Sequence, residues 1–311
     1  MPAPGWLLCG AIVFSNLTQQ PHMYHCRWRC SVYLLRPLRF SFTLVLILFS
    51  AGSVPIHSQP LSAIQSQLNL AYKGKTLLLR DFYRGDDLAY EQNGSVLGNA
   101  AQGPWTLANV RITGVTVTAL GMEIVGDRLG TWYKNEKAQF VKIDKLKIHI
   151  ARAISDTDTE ATLRPIFSRV FIQQGEEIGP MLPEYWRSYL AGTDSKSRAA
   201  SWLASLEGHI PTFKIGKSSD GEVAPPRLVY DPEPKYSKEA VSNLVEGTSR
   251  LEAVIDAAGM PGSIAILQPL GMGLDEQAVL AVQQWKFQPA TKNGQPVAVQ
   301  MNVQINFRCC P

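Results

Sequence analysis

Val297-Ala298-Val299-Gln300-Met301-Asn302-Val303-Gln304-Ile305-Asn306-Phe307 alternates apolar and polar positions without a break. Eleven residues of period two read as one half-buried strand, about 36 Å long at ~3.3 Å per residue. Upstream, Gly247 to Ile255 alternates in the same way, with Leu251, Ala253 and Ile255 on one side and Arg250 and Glu252 on the other. Asp256-Ala257-Ala258-Gly259 supplies turn residues, and Ile264 with Ile266 starts a second, shorter strand. Asp275 and Glu276 stand where a helix start favours acids, and Leu274, Ala278, Val282 and Trp285 share one helical face, which must end by Gln288 because Pro289 follows. The two shorter strands cannot pair with all of the long one. Part of its N–H and C=O row is therefore expected to remain an open edge, to which another strand can add.

Six ordered motifs surround this pattern. They are Pro234-Lys235-Tyr236-Ser237-Lys238-Glu239-Ala240, Gly247-Thr248, Ile255-Asp256-x-x-Gly259, Gly273-Leu274-Asp275-Glu276-x-Ala278, Trp285-Lys286-Phe287-Gln288-Pro289-Ala290, and Gly294-x-Pro296-Val297 closing on Asn306-Phe307. Together, over about residues 224–308, they resemble the carboxy-terminal domain of TonB-type energy transducers. The resemblance implies an α+β domain: a three-stranded antiparallel sheet with helices on one face. It implies a partner as well, the extended amino-terminal box of an outer-membrane TonB-dependent receptor, captured as an added strand, and an inner-membrane proton-driven motor behind it. The partner-binding residues it implies are Glu233, Pro234, Lys235 and Tyr236, with the edge Val297, Ala298, Val299, Gln300, Met301, Asn302, Val303 and Gln304. Trp285 and Phe287 continue the buried helix face and read as core. Ser237 stands where the family usually has Pro. Gly271-x-Gly273 alone is too short a pattern to mark a phosphate loop.

The preceding region reads as a separate, mainly β domain, residues 60–191, with short helices at its end. From Leu68 to Ile150 short strands alternate with turn signals such as Asn93-Gly94 and Gly103-Pro104, as in Thr76 to Arg80, Trp105 to Ala119, and the alternation of Leu146, Ile148 and Ile150 with Lys145, Lys147 and His149. An antiparallel sheet with one wet face is expected there. Ala161 to Phe171 and Leu182 to Leu190 have helical spacing, the second opened by Pro183. Residues 192–223 read as a connector and 309–311 as a tail. Lys73-Gly74-Lys75, Gly103-Pro104-Trp105 and Pro183-x-x-Trp186 also resemble a periplasmic extension found in some transducer-like proteins.

No catalytic pattern emerges. GxSxG, HExxH and GxxxxGK[ST] are absent, and His57, His149 and His209 never pair at metal-ligand spacing. Asp86-Asp87 and Glu176-Glu177 read as solvated loops, and Lys142, Lys145 and Lys147 as the outer face of a strand. Neither an enzyme nor a cofactor is expected, and no small-molecule substrate.

Charge and cysteine usage agree. The chain has 311 residues and a formal charge of +4, but Arg27, Arg29, Arg36 and Arg39 all precede residue 58. Without them the remaining basic and acidic residues balance, which leaves no electrostatic footprint for nucleic acid. The five cysteines, Cys9, Cys26, Cys30, Cys309 and Cys310, leave residues 31–308 without one, so no disulfide framework or Cys zinc site organises the fold.

Residues 1–58 read as an upstream extension plus a targeting segment. Arg36 and Arg39 precede the apolar run Phe40 to Phe49 and the small residues Ser50-Ala51-Gly52-Ser53, the order of a secretory signal. Extended to Ile56 the run can equally serve as an uncleaved signal anchor. Both readings export the remainder, and the TonB-type resemblance implies the periplasm of a Gram-negative bacterium, with the chain anchored in the inner membrane by residues ~40–56 or released from it. The segment lacks the His that the family's membrane helix usually carries, and no long Pro-rich spacer follows.

Overall fold

The computed structural model describes residues 60–192, 197–199, 212–213, 215–218 and 221–308. The expected targeting segment and the 309–311 tail lie outside them. Among the described residues no helix is long and apolar enough to cross a membrane.

The fold is α+β. The first element is helix α1, Leu61–Tyr72, which buries Ile64, Leu68 and Tyr72, one residue every four. Leu68 was expected to open the strands and instead lies inside this helix. The helix then closes a sheet edge with side-chain amides. Asn69 accepts from Val115 N (2.9 Å) and donates to Val115 O (2.7 Å), while Gln65 accepts from Val117 N (3.0 Å).

The large sheet contains β1 (Thr76–Leu79), β2 (Asp87–Glu91), β3 (Val96–Leu97), β4 (Asn109–Thr118), β5 (Gly121–Lys134), β6 (Lys137–Ala151) and β7 (Phe171–Ile172), in the order β3-β2-β6-β5-β4-β1-β7. β5 and β6 run for 14 and 15 residues, far longer than the short strands expected. Trp105–Leu107 is a 3₁₀ turn, and β4 begins only after it. The expected all-antiparallel pairing is also corrected, because β2 pairs with β6 in parallel. Helix α2 (Glu160–Val170) opens with a capping box between Thr159 and Thr162, and α3 (Glu184–Ala191) follows Pro183.

Four further strands, β8 (Gly216–Ser218), β9 (Gly221–Ala224), β14 (Ala290–Lys292) and β15 (Gln295–Val297), form a small sheet ordered β15-β14-β9-β8. Residues assigned to a connector thus contribute β8 and most of β9. β10 (Arg227–Tyr230) pairs with β13 (Lys286–Gln288). The terminal sheet is three-stranded, β12-β11-β16, built from β11 (Gly247–Ile255), β12 (Pro261–Gln268) and β16 (Val299–Phe307). Helices α4 (Lys238–Ser242) and α5 (Leu274–Val282) share its core through Ala240, Leu274, Ala278 and Val282.

The eleven-residue strand expected at 297–307 is two strands. Val297 pairs with Ala290 in the β14/β15 hairpin, and β16 begins at Val299. Pro296 and the Asn293-Gly294 turn commit residues 295–297 to that hairpin. The pairing argument also changes, since β11 pairs with β16 at all nine positions from Gly247↔Phe307 to Ile255↔Val299. On its other side β16 is the last strand of its sheet among the described residues.

Residues Pro55–Pro311 make one compact unit, and the loop between β12 and α5 joins its halves. Tyr133 N donates to Leu270 O (2.9 Å) and Met272 N to Thr131 O (2.8 Å), so this loop adds to the end of β5. Gly271 (φ +86°) sits at the crossing. A Cβ there would lie 2.0 Å from Thr131 O, so only glycine lets the two backbones meet. That is the structural role of the Gly271-x-Gly273 pattern.

Candidate functional site

The outer edge of β16 is the candidate site. In an antiparallel ladder each residue turns its N–H and C=O to one side, and neighbours alternate. Ala298 O accepts from Phe213 N at 2.9 Å, away from β11, and Phe213 bridges Val299 in parallel. By alternation Gln300, Asn302, Gln304 and Asn306 also point their main-chain groups outward. Val299, Val303, Ile305 and Phe307 bury their side chains in the core. Their main-chain groups face β11.

The predicted residues therefore separate. Ala298, Gln300, Asn302 and Gln304 line the edge, Asn302 and Gln304 with exposed side chains. Met301 is half-buried, while Val299 and Val303 are core. Val297 lies in β15, off this strand. The segment Glu233-Pro234-Lys235-Tyr236 is irregular, with Glu233 and Lys235 exposed. Tyr236 stacks edge-on against Phe307 with ring centroids 5.3 Å apart, so the segment meets the Phe307 end of the strand and not the Val297 end. Trp285 fixes its start by donating from Nε1 to Pro232 O (3.2 Å), and Phe287 is buried.

Ser237 explains how the segment turns into a helix without proline. Its backbone is extended (φ −72°, ψ 149°), and its hydroxyl accepts from Ala240 N (3.0 Å) while donating to Met272 O (2.6 Å). It caps α4 and ties it to the β12–α5 loop.

The face carrying Gln300 is not uniformly wet, in contrast to the alternation read from sequence. Val254, Ala265 and Leu267 are buried there against Ala199 and Ala298, and Arg198 donates to Leu267 O (2.9 Å). Glu252 is only 5% exposed. Gln300 Nε2 donates to its Oε1, Oε2 has no hydrogen-bond partner among the described residues, and burial pushes its carboxyl up from the ordinary value. Glu252 and Phe213 were not foreseen as parts of the edge, and nothing local in the sequence marks either.

Two adjacent acids lie beneath. Asp275 is fully buried and accepts from Ser249 Oγ (2.6 Å), Leu270 N (2.8 Å) and Gly271 N (2.7 Å), holding the loop that meets β5. Burial raises it to about 6 despite those donors. Glu276 accepts from Trp186 Nε1 (2.9 Å), and burial, with Asp275 beside it, raises it to about 8. The helix-start acids are thus an internal lock, not a surface cap.

The family described as Gram-negative bacterial TonB protein C-terminal matches residues 232–309. This segment is a TonB-type carboxy-terminal domain. Protein TonB of Vibrio cholerae serotype O1 (strain ATCC 39315 / El Tor Inaba N16961) is 33% identical over 99 residues, which are 29% of this chain and 41% of that protein. The chain thus spans about two-fifths of the length of the curated relative that it matches. The solution NMR structure of Pseudomonas aeruginosa TonB CTD aligns at 21% identity, with 32% of this chain and 95% of that one covered and a TM-score of 0.24. Within the TonB-type domain lie β11, β12, β16, α4 and α5, hence the β16 edge, while Phe213 lies ahead of the matched residues.

Proposed function

We propose that the protein works in the periplasm as a non-enzymatic, TonB-like coupler. Its TonB-type domain takes the extended box of an outer-membrane TonB-dependent receptor as a fourth strand on β16, and an inner-membrane motor supplies the energy. The observation that carries this reading is the outward main-chain row of Gln300, Asn302 and Gln304 on a terminal strand, beside the Ala298 carbonyl that Phe213 already fills. Phe213 supports it, because that edge already accepts one parallel main-chain contact. Four to six added hydrogen bonds at ~0.5–1.5 kcal/mol each, less the cost of ordering the peptide, give a transient grip. A coupler has to let go. A second reading, a secreted, non-energising envelope module using the same edge, is favoured by the small residues Ser50-Ala51-Gly52-Ser53 after the apolar run. The amino-terminal sequence of the membrane-associated protein separates the two.

The test is a backbone substitution at Asn302, whose side chain is exposed; Gln300 is less suitable because it covers Glu252. Asn302→Pro removes one outward N–H without costing a bond to β11, whereas Asn302→Ala removes only the side chain. A synthetic receptor box peptide titrated into the full chain and followed by NMR should bind Asn302→Ala nearly as it binds wild type and Asn302→Pro clearly more weakly, with thermal melts showing both folded. Normal binding to a folded Asn302→Pro, with loss in Asn302→Ala, would refute strand addition.

A further inference from the structure

A cavity of about 420 Å³ lies away from the β16 edge, between the large sheet and α4. At its base is Arg128 of β5, only 8% exposed. Its guanidinium donates to three backbone carbonyls, Tyr83 O (3.1 Å), Leu107 O (3.2 Å) and Gly85 O (2.7 Å), and pairs with no carboxylate among the described residues. This buried cation is bonded directly by carbonyl dipoles, with Asp144 and Glu239 attracting it without a direct bond, and burial lowers its affinity for its proton.

Across the cavity stands Glu239 of α4. Arg84 occupies one of its oxygens, with Nη2 to Oε1 at 2.6 Å. Glu239 Oε2 is buried and has no hydrogen-bond partner among the described residues, an acceptor left short of a donor. The cavity is therefore lined by a guanidinium without a direct ion pair and by a carboxylate one of whose oxygens lacks a donor. Asp86, Asp144 and Lys145 also line it, and the three cations and three anions of the lining balance. Such a lining disfavours a phosphate or any polyanion, which would face three carboxylates. Leu107 and Ile143 add apolar wall.

We propose that this cavity binds a small zwitterion of the α-amino-acid class, its carboxylate on Arg128, its ammonium on the Glu239 carboxylate, and its side chain against Leu107 and Ile143. The ligand bridges β5 and α4, so it ties the large sheet to the TonB-type domain. This inference is independent of the strand-addition reading.

The test is a thermal-shift titration of the full chain with L-leucine and L-alanine, with acetate and methylammonium as the two half-ligands. The amino acids should raise the melting temperature saturably, leucine more than alanine, and each half-ligand much less. Glu239→Gln keeps the size and an acceptor for Arg84 but removes the anionic partner. It should weaken leucine about tenfold, as expected for the loss of a charge-assisted hydrogen bond, and leave the small acetate response unchanged. A saturable leucine shift lost in Glu239→Gln supports the proposal. It is overturned if no probe gives a saturable shift, if acetate stabilises as strongly as leucine, or if Glu239→Gln binds leucine like wild type.

Discussion

Glu276 makes the stability of this protein depend on pH in the direction opposite to most carboxylates. Its Oε1 is held by Trp186, its Oε2 is buried without a partner among the described residues, and Asp275 is its neighbour in sequence. In the unfolded chain it releases its proton near 4.5, and in the folded protein near 8. Between those values the folded state carries one more proton than the unfolded state, so stability is complete at low pH and falls as pH rises. At ~1.4 kcal/mol per pH unit the full span amounts to at most about 5 kcal/mol. Asp275 adds to the same slope only up to about 6. Tyr185, the other titratable group influenced by Glu276, is pushed up to about 12 and stays neutral throughout. From pH 6 to 8 the Glu276 contribution should cost about 3 kcal/mol. Urea unfolding of wild type and Glu276→Gln at half-unit steps from pH 5.5 to 8.5 measures it. Glutamine imitates the protonated acid, so the variant should show a flat profile above pH 6 and exceed wild type at pH 8. A flat wild-type profile, or an unchanged slope in Glu276→Gln, would refute the reasoning.

Other outcomes follow from the terminal domain. Val303→Asp places an unpaired charge where Val303 is 4% exposed and should destabilise by several kcal/mol. Gln304→Lys on the exposed side should be nearly neutral, and equal losses in urea midpoints would contradict the assigned faces. Ser237→Ala removes the cap of α4 and the bond to Met272 O, and should cost about 1–2 kcal/mol; no change in midpoint would show the cap idle. A fragment of residues 220–311 retains β11, β12, β16 and α5 and should melt cooperatively, but below the full chain, since it loses the Trp186–Glu276 and Arg84–Glu239 bonds. Absence of a cooperative melt would mean that the boundary at 192–223 is not one.

The terminal sheet was readable because its information is local. Period two marks β11 and β16, Asp256 to Gly259 marks the turn from β11 to β12, and Leu274, Ala278 and Val282 mark α5. What escaped depends on distant partners. Helix α1 resembled part of a strand region at Leu68, and its amides Gln65 and Asn69 become intelligible only beside β4. The length of β5 was hidden because Glu123, Asp127 and Arg128 interrupt its apolar run, and Arg128 is buried only because three carbonyls from other elements meet it. The break at Ala298 was invisible for a related reason, since the alternation continues through it while the pairing partner changes from β14 to β11. On the edge itself, the outward row follows from period two, but Phe213 and Glu252 join it only through tertiary structure.

The two ladders of the terminal sheet differ in regularity. β16 matches β11 residue for residue over nine pairs, whereas the β11/β12 register shifts between Arg250 and Leu251 and again between Ala253 and Ile255. A tether attached to the outer edge and pulled along the strand direction loads the β16/β11 ladder in shear, with all of its bonds resisting together. One strand further in, the shifted register offers fewer bonds acting in unison. Under tension the exposed strand is thus fastened more firmly than the strand behind it. Slippage would begin at the added peptide or at the inner ladder, leaving β16 and β11 joined.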